Sequence, residues 1–341
     1  MGAVTLKDIA RKLDISEATC SQALNNYPGI SEKTRQKVLA CAQEMDYVPN
    51  PIARGLATKR TMTIGCICPD PENPSYSRFI KKISTYCESF GYSLILTVSD
   101  NNKELEAKLV KQLINCCVDG LIISPIDTKR NDSAVFQTLK EGNIPYVFSM
   151  SYYEGFEDEA VIPDYFTGSY DATKALLDNG CDSIWYLVAK EEDIPVSKLR
   201  IEGWKQAYAD AGKRWLPEWI IPCEYMDSRF AYYITKRILD RRRPPCAICT
   251  QNDYMATGVR QAIADSGYQV PQDISLVGYD DVMDNYFMDV PLTTVRLNID
   301  LLAWETVRFL MQKISGKEAE PPVQRLIPTK LIIRKTTQFE L

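Results

Sequence analysis

Polar side chains follow the ends of several apolar segments that are typical of buried strands. In a doubly wound sheet, a ligand binds beyond the carboxyl ends of the parallel strands, so these side chains could share one pocket. Arginine, asparagine and aspartate beside an aromatic wall suit a neutral, polyhydroxylated ligand. The candidates for such a pocket are Asn73, Ser75, Tyr76, Arg200, Tyr225, Asn252 and Asp280.

The same residues also have ordinary structural explanations. Asn252 and Asp280 could cap helices or end loops. Tyrosines at strand ends, such as Tyr76 and Tyr225, are as often part of the core. The pattern alone therefore leaves a ligand-binding role and a structural role open.

Histidine is absent from the 341 residues, which limits the chemistry open to the chain. Ser-His-Asp and Cys-His catalysis, histidine metal sites and histidine pH switching are excluded. The 11 cysteines are odd in number and scattered, which does not suggest a disulfide framework and fits a reducing cytoplasm. Cys246 and Cys249 form a C-x-x-C, but no second pair or histidine completes a zinc site. With no G-x-G-x-x-G or Walker loop either, we expect no metal and no cofactor.

A second group of polar residues lies near the amino terminus, on three short segments with helical periodicity. Two short helices joined by a tight turn and followed by a third form a helix-turn-helix, whose second helix enters the DNA major groove. Hydroxyl and amide side chains can bond phosphates, while Glu17, Ala18 and Gln22 can face bases. The candidate DNA contacts here are Thr5, Ser16, Glu17, Ala18, Thr19, Ser21, Gln22, Asn25, Ser31 and Thr34. A three-helix dimerisation or protein-binding head is the alternative.

The charge distribution favours the DNA-binding interpretation. Residues 1–60 hold nine Lys and Arg against six Asp and Glu, whereas the whole chain carries a net charge of −5. A small basic head on an acidic body suggests that the head meets a polyanion.

After Thr61 the pattern alternates strand-like and helical segments, which predicts parallel sheets flanked by helices. About 280 residues exceed one compact unit, so we expect two doubly wound parallel-sheet subdomains. The predicted strands are Thr63–Cys68, Ser93–Val98, Gly120–Ser124, Tyr146–Ser149, Ser183–Val188, Ala247–Thr250, Ile274–Tyr279 and Lys330–Lys335. The predicted helices are Arg78–Phe90, Glu104–Cys116, Tyr170–Asn179, Arg200–Ala211, Ala231–Arg241, Tyr254–Ser266 and Leu301–Ile314.

Short motifs occur in a fixed order along nearly the whole chain. They are VTLKDIARKLDIS, SEATCSQALNN, ISEKTRQKV and YVPNPIARGLATKRT in the head, and DGLIISP, NDYMATG, ISLVGYDD and PLTTV in the body. This series closely resembles the lactose-repressor (LacI/GalR) family of transcriptional regulators. The resemblance implies an all-α helix-turn-helix head and an α/β body like a type I periplasmic binding protein. It also matches Arg200, Asn252 and Asp280 to effector-contacting positions.

The resemblance further implies a hinge helix over residues 50–57 that folds on operator DNA. Asn50 can cap it, Pro51 suits its first position, and so short a helix is not stable alone. By resemblance, Leu56 wedges between base pairs in the minor groove, and Asn50 and Ala53 join it as DNA contacts. A plain linker is the alternative.

This chain departs from the family pattern in the head. Asp14 stands where a turn glycine is common, and aspartate can adopt a left-handed conformation at some cost. Gln22 stands where many members have a base-reading arginine; glutamine favours adenine, whereas arginine favours guanine. The operator sequence therefore cannot be copied from relatives.

The body departs from the pattern as well. Met150 stands where sugar-responsive members often have an aspartate, and Ser75 replaces an aromatic residue. We count Met150 and Asp164 with the effector-pocket candidates. A sugar is the favoured effector, with purines, modified sugars and a protein co-regulator left open.

Together these observations predict a homodimeric repressor that binds a pseudo-palindromic operator and is controlled by a small metabolite. We expect it in the cytoplasm with no membrane contact, and as a dimer rather than a tetramer because no heptad tail is present. The predicted domains are 1–49 for the DNA-binding domain, 50–60 for the hinge, 61–164 with 294–323 for the first subdomain, and 165–293 with 324–341 for the second.

Two rival functions remain. A solute-binding protein would need only the body, but no export signal exists and the basic head would have no use. An enzyme would be restricted to carboxylate or lysine chemistry, which no local pattern supports.

Overall fold

This computed structural model describes residues 4–25, 27–47, 60–125, 139, 144–189, 195–242, 244–282, 288–316 and 324–339. The chain divides into two compact units, Met1–Thr61 and Met62–Leu341, called the head and the body below. Among the described residues, no helix is long and apolar enough to cross a membrane.

The described part of the head contains three helices, and a hydroxyl residue precedes each of them. Thr5 donates from its N–H and from its hydroxyl to the Asp8 carboxylate. The Ser16 hydroxyl accepts from the Thr19 N–H at 3.0 Å, and the Ser31 hydroxyl accepts from the Thr34 N–H at 3.2 Å. These caps satisfy amide groups that the first helical turn leaves without partners. The helices are α1 (Leu6–Leu13), α2 (Glu17–Leu24) and α3 (Glu32–Glu44). Their shared core is Ile9, Ala10, Cys20, Ala23, Val38, Cys41 and Ala42.

Asp14 ends α1 in the left-handed conformation, with φ 52° and ψ 48°. Its N–H points at the carbonyls of Ala10 and Arg11. Aspartate therefore takes the conformation that glycine adopts more readily.

The body begins with a six-stranded sheet whose strand pairings are parallel. Strand β1 (Thr63–Cys68) lies inside the sheet and β2 (Ser93–Val98) lies at one edge. Helix α10 (Ile299–Ile314) packs against α4 (Pro74–Ser89) and covers β3 (Gly120–Ile123) and β4 (Tyr146–Ser149). In order across the sheet, the strands are β11 (Arg325–Ile327), β5 (Ala160–Pro163), β4 (Tyr146–Ser149), β3 (Gly120–Ile123), β1 (Thr63–Cys68) and β2 (Ser93–Val98). The helices of this first subdomain are α4 (Pro74–Ser89), α5 (Lys103–Asn115) and α10 (Ile299–Ile314).

The body has a second six-stranded sheet, whose edge strand β12 (Thr329–Ile332) is antiparallel to β10 (Thr293–Leu297). In order, its strands are β12 (Thr329–Ile332), β10 (Thr293–Leu297), β9 (Ser275–Asp280), β8 (Ala247–Thr250), β6 (Ile184–Ala189) and β7 (Ile220–Cys223). The helices of this second subdomain are α6 (Tyr165–Asp178), α7 (Pro195–Asp210), α8 (Ser228–Leu239) and α9 (Asp253–Asp265). The predicted architecture of a helical head and a body with two mainly parallel sheets is confirmed.

The chain passes between the two sheets three times, and two of these passages differ from the predicted boundaries. The predicted boundary at Thr293 is wrong, because β10 pairs with β9 in the second sheet and the chain leaves only after Leu297. The predicted assignment of residues 324–327 to the second subdomain is also wrong, because β11 pairs with β5 in the first sheet. Only Pro328 separates β11 from β12, so the sequence looks like one continuous strand although its halves belong to different sheets.

Cys181 and Cys246 form a disulfide, with Cα atoms 5.6 Å apart. The other nine cysteines are free, so the chain has a single disulfide bond and not a framework of several. Cys246 therefore bonds to a cysteine 65 residues away rather than to Cys249, its C-x-x-C neighbour. The scattered spacing of the cysteines gave no sign of this pair.

Candidate functional site

The outer face of α2 presents the residues that we predict to read bases. Glu17, Ala18 and Gln22 are exposed, while Cys20 and Ala23 on the opposite face are buried in the head core. The helical period separates the two faces, so the apolar spacing that builds the core also fixes which side chains project outward. The structure therefore gathers these three candidates on one accessible surface.

Several hydroxyl and amide candidates of the head are engaged within their own helices. The Ser16 and Thr19 hydroxyls are 2.8 Å apart, and the Asn25 amide donates to the Ser21 carbonyl at 2.8 Å. These residues therefore hold the helix ends, whatever else they contact. The predicted hinge contacts Asn50, Ala53 and Leu56 lie outside the described residues.

A cavity of about 380 Å³ lies in the body, at the carboxyl ends of strands from both sheets. This volume is in the range of small-molecule sites. Eight of the nine predicted pocket residues line it: Asn73, Ser75, Tyr76, Met150, Arg200, Tyr225, Asn252 and Asp280.

Arg200 is the central cation of this cavity. It is only 4% exposed, and its guanidinium carbon lies 3.7 Å from the ring centroid of Tyr165 and 4.7 Å from that of Tyr279. Its Nε and Nη1 atoms have no hydrogen-bond partner among the described residues. Buried guanidinium donors without partners are costly, so an acceptor is expected to enter the cavity and meet them.

A close helix approach holds Arg200 against Tyr165. At Gly203, one turn after Arg200, a Cβ atom would lie 2.2 Å from the carbonyl oxygen of Phe166. Only glycine lets α7 approach the first turn of α6 this closely. Tyr165 in turn donates to the Met150 carbonyl at 2.8 Å, which connects Arg200 to the first subdomain.

Asp280 faces the same cavity from the end of β9. Burial, and after it the nearby Asp253 carboxylate, raise the pKa of Asp280 to about 8, although the Arg200 charge and the Ser75 hydroxyl act in the opposite direction. Its backbone has φ 101°, a conformation that residues other than glycine rarely adopt. Such local strain persists only where the surrounding structure holds it in place.

Asn252 combines the two roles that the sequence left open. It caps α9 by accepting from the Met255 N–H at 2.7 Å, and its amide donates to the Met226 carbonyl at 3.2 Å, yet it also lines the cavity. Tyr225 is 58% exposed and lies at the mouth of the cavity rather than in the core. Asp164 does not line the cavity; it caps α6 by accepting from the Thr167 N–H at 3.0 Å.

Sequence reasoning missed several lining residues. Tyr165 stacks on Arg200, and Gln251 accepts from the Ala189 N–H at 2.6 Å. Gln251 precedes Asn252 at the same strand end, so its position alone could have identified it. Tyr165 begins a helix immediately after the chain changes sheets, which the sequence did not signal. The other lining residues not predicted are Asp70, Asn101, Ser151, Ala189, Val196, Cys223, Glu224, Met226 and Asp227.

No cluster of His, Cys, Asp and Glu suited to hold a metal ion occurs within the described part of the chain. The cavity instead combines one buried cation, a carboxyl of raised pKa, amides and tyrosine rings. These groups can hydrogen-bond and stack on a ligand, as binding pockets do.

Sequence comparison gives two family matches. The lacI family of bacterial regulatory proteins matches residues 5–50, and the periplasmic binding protein-like domain matches residues 173–337. The HTH-type transcriptional repressor PurR of Pasteurella multocida (strain Pm70) is 31% identical over 338 residues, covering 99% of each chain.

Solved structures agree with the sequence matches. The lac repressor dimer bound to operator and the anti-inducer ONPF has a TM-score of 0.86 at 27% identity, covering 98% of this chain and 99% of that one. A LacI family regulator from Enterococcus faecium with bound ribose has a TM-score of 0.68 at 26% identity, covering 82% of this chain and 100% of that one.

Proposed function

The chain belongs to the lacI family of bacterial regulatory proteins, and so is a DNA-binding transcriptional regulator with an effector-binding body. On this basis we propose that it is a homodimeric repressor controlled by a small neutral metabolite. A sugar is the favoured effector class, and the cytoplasm is the compartment in which the protein meets its operator. The relatives are regulators rather than enzymes.

The head binds the operator through the exposed face of α2. Gln22, Glu17 and Ala18 contact base edges in the major groove, and the capping hydroxyls at the starts of α2 and α3 approach phosphates, which helix N-termini attract. Asn50, Ala53 and Leu56 belong to a hinge that contacts the minor groove.

The second copy of the chain covers the β2 edge of the first sheet. Ile95, Leu96 and Val98 on this edge strand are each more than a third exposed, a costly arrangement for apolar residues at the edge of a sheet. The lac repressor structure with the high TM-score is a dimer, which supports this assembly. Two-fold symmetry then requires a pseudo-palindromic operator.

The observation that carries the effector proposal is the buried Arg200, with two donors unpaired beside the protonatable Asp280. Hydroxyl groups of a sugar can accept from Arg200 and bond Asp280, Asn252 and Asn73, while Tyr76 and Tyr165 cover the ring. The Enterococcus faecium relative has bound ribose and the lac repressor complex has bound ONPF, and these small ligands of similar proteins support a small-molecule effector for this chain. A purine would use the same donors and stacking surfaces and is the second candidate.

The effector acts by changing how the two subdomains close over the cavity, which alters the hinge and with it the affinity for operator. Such coupling is reciprocal, so operator must change effector affinity by the same factor. Equal effector affinity with and without saturating operator would contradict this mechanism.

The test is thermal unfolding of the full-length protein against sugars, sugar phosphates and nucleobases. A ligand at about 100 times its dissociation constant adds about 2.7 kcal/mol of stability, which corresponds to a shift of several degrees. A shift with one sugar supports the proposal, and a shift with a nucleobase alone transfers it to a purine effector. The operator is selected from random duplexes in parallel, and a variant lacking residues 1–60 must lose the selected duplex while it keeps the ligand.

A further inference from the structure

Arg78 connects the two subdomains beside the effector cavity. It lies on α4 of the first subdomain, and its guanidinium donates from Nη1 to the Asp281 carbonyl at 3.0 Å and from Nη2 to the Val282 carbonyl at 2.7 Å. Asp281 and Val282 directly follow β9 of the second subdomain. One planar fork therefore bonds two consecutive carbonyls that lie more than 200 residues away along the chain.

The backbone that Arg78 bonds belongs to a strained turn. Asp280 and Asp281 have φ values of 101° and 58°, both in the region that favours glycine. Two consecutive non-glycine residues in this region need support from outside the turn. Arg78 supplies part of that support from the first subdomain.

The second subdomain holds the same turn from the other side. The Asp253 carboxylate accepts from the Val282 N–H at 2.9 Å, and the Asp281 carboxylate pairs with Arg296 and Arg334 at 2.6 and 2.7 Å. The turn is therefore fixed within the second subdomain. Because Arg78 lies on α4, any change in the distance between Arg78 and the turn means that α4 has moved relative to the second subdomain.

The first turn of α4 also belongs to the effector cavity. Ser75 and Tyr76 line the cavity one helical turn or less before Arg78, and Asp280 lines it from the opposite subdomain. The residues that line the cavity from each subdomain are thus adjacent in sequence to the two sides of the Arg78 contact, which are α4 and the turn after β9.

We propose that Arg78 is a positioning residue that holds the 280–282 turn across the cleft and so links the closure of the effector cavity to operator affinity. This inference rests on the proposed function, because it assigns part of its regulation to one contact. Arg78 touches neither effector nor DNA in this proposal. It changes the equilibrium between two arrangements of the subdomains, which is how a contact can affect a distant binding site.

The experiment compares the full-length wild type with Arg78→Leu, Arg78→Lys and Lys81→Leu. Lys81 is an exposed cation on the same helix, so its variant controls for the lost charge. Hydrogen exchange by mass spectrometry reports the amides of residues 280–282 without any ligand. Titration of the duplex recovered by selection reports operator affinity.

We expect exchange in residues 280–282 to be at least about tenfold faster in Arg78→Leu, since hydrogen bonds to charged donors are among the stronger ones. Operator affinity should change by at least about threefold in the same variant, since the subdomain equilibrium shifts. Arg78→Lys should recover part of both effects, and Lys81→Leu should show neither.

Unchanged exchange in Arg78→Leu would overturn the proposal, because the turn would then not depend on Arg78. Faster exchange with unaltered operator affinity would also overturn it, since only a local structural role would remain. If the wild type bound no selected duplex, the proposed function itself would fail, and the exchange comparison would still decide whether Arg78 positions the turn.

Discussion

The head and the body hold their polar candidates in opposite ways. In the head, Ser16, Thr19 and Asn25 bond to groups within four residues of themselves. In the body, Arg200 and Asp280 come from distant segments, and Arg200 keeps two buried donors without a partner in the described chain. These polar side chains of the head are therefore already hydrogen-bonded on a surface that a large partner can contact. In the body, a small ligand would supply the missing hydrogen-bond partners inside the cavity.

The strongest test of this comparison is Arg200→Met, which removes the unpaired donors and keeps much of the side-chain volume. Effector affinity should fall by about a hundredfold or more, because a charge-assisted hydrogen-bond pair is lost. Stability without effector should hold or rise, because no buried donor is left unpaired. Calorimetric titration of the effector found in the unfolding screen, together with melting of the ligand-free protein, measures both.

Two controls accompany that variant. Operator affinity of ligand-free Arg200→Met should remain near the wild-type value, since the substitution leaves both the head and the Arg78 contact between the subdomains in place. Arg214→Met, which removes an exposed cation that does not line the cavity, should leave effector affinity unchanged. Undiminished effector binding in Arg200→Met would show that the cavity is not the effector site.

The head is tested by Gln22→Arg, which exchanges an adenine-reading side chain for a guanine-reading one on the exposed face of α2. The preferred base at one operator position should change, with at least about tenfold discrimination, the scale of one good base contact. Selection from random duplexes with each protein reads out the preference.

Gln43→Arg adds the same charge at an exposed position of α3 and serves as the matched control. It should strengthen binding to all duplexes without changing the selected sequence, since an added cation acts on phosphates alone. An identical selected sequence for wild type and Gln22→Arg would remove Gln22 from the base-reading surface.

The difference between head and body also explains what the sequence could reveal. The three helices predicted for the head are present, because caps and apolar spacing are local signals. In the body, β1, β2, β4 and β8 matched their predicted bounds, since each is a short apolar run bounded by turns. Local patterns thus predicted the elements in both regions.

The sequence failed where distant segments decide the structure. Strands β5, β7, β10 and β11 were not predicted, since they are short and their burial depends on which sheet receives them. Tyr165 and the Cys181–Cys246 bond were missed for the same reason, because their partners are remote in sequence. For Arg200 and Asp280 the family resemblance supplied what spacing alone could not.

A smaller effect should follow from the raised pKa of Asp280. Burial raises that pKa to about 8, against about 3.9 in an unfolded chain, so the folded state holds a proton that the unfolded state loses. The stability that this proton provides is fully present below about pH 4 and is lost as the pH rises toward 8. Asp280→Asn should therefore melt higher than the wild type by a margin that grows between pH 5 and pH 8 and then stays constant.

The melting difference at pH 8 should exceed about 2 °C, the shift expected from 1 kcal/mol in a domain of this size. Asp158→Asn, at an exposed position, should show no such growth with pH. A margin independent of pH would mean that Asp280 is ionised throughout and would remove the basis for its role as a hydrogen-bond donor to the effector.

The smallest effect concerns Ser16, which can serve the head in two ways at once. Ser16→Ala should lower the stability of the head by about 1 kcal/mol, since the Thr19 N–H loses its cap. Ser16→Asp should recover that stability, because aspartate caps well and its charge suits a helix N-terminus. The same charge should repel a phosphate, so Ser16→Asp should bind operator more weakly than Ser16→Ala. Thermal melting measured by circular dichroism, together with operator titration at fixed salt, separates the two roles. Equal operator affinity in the two variants would mean that Ser16 only caps α2. The DNA contacts of the head would then come from other residues of α2.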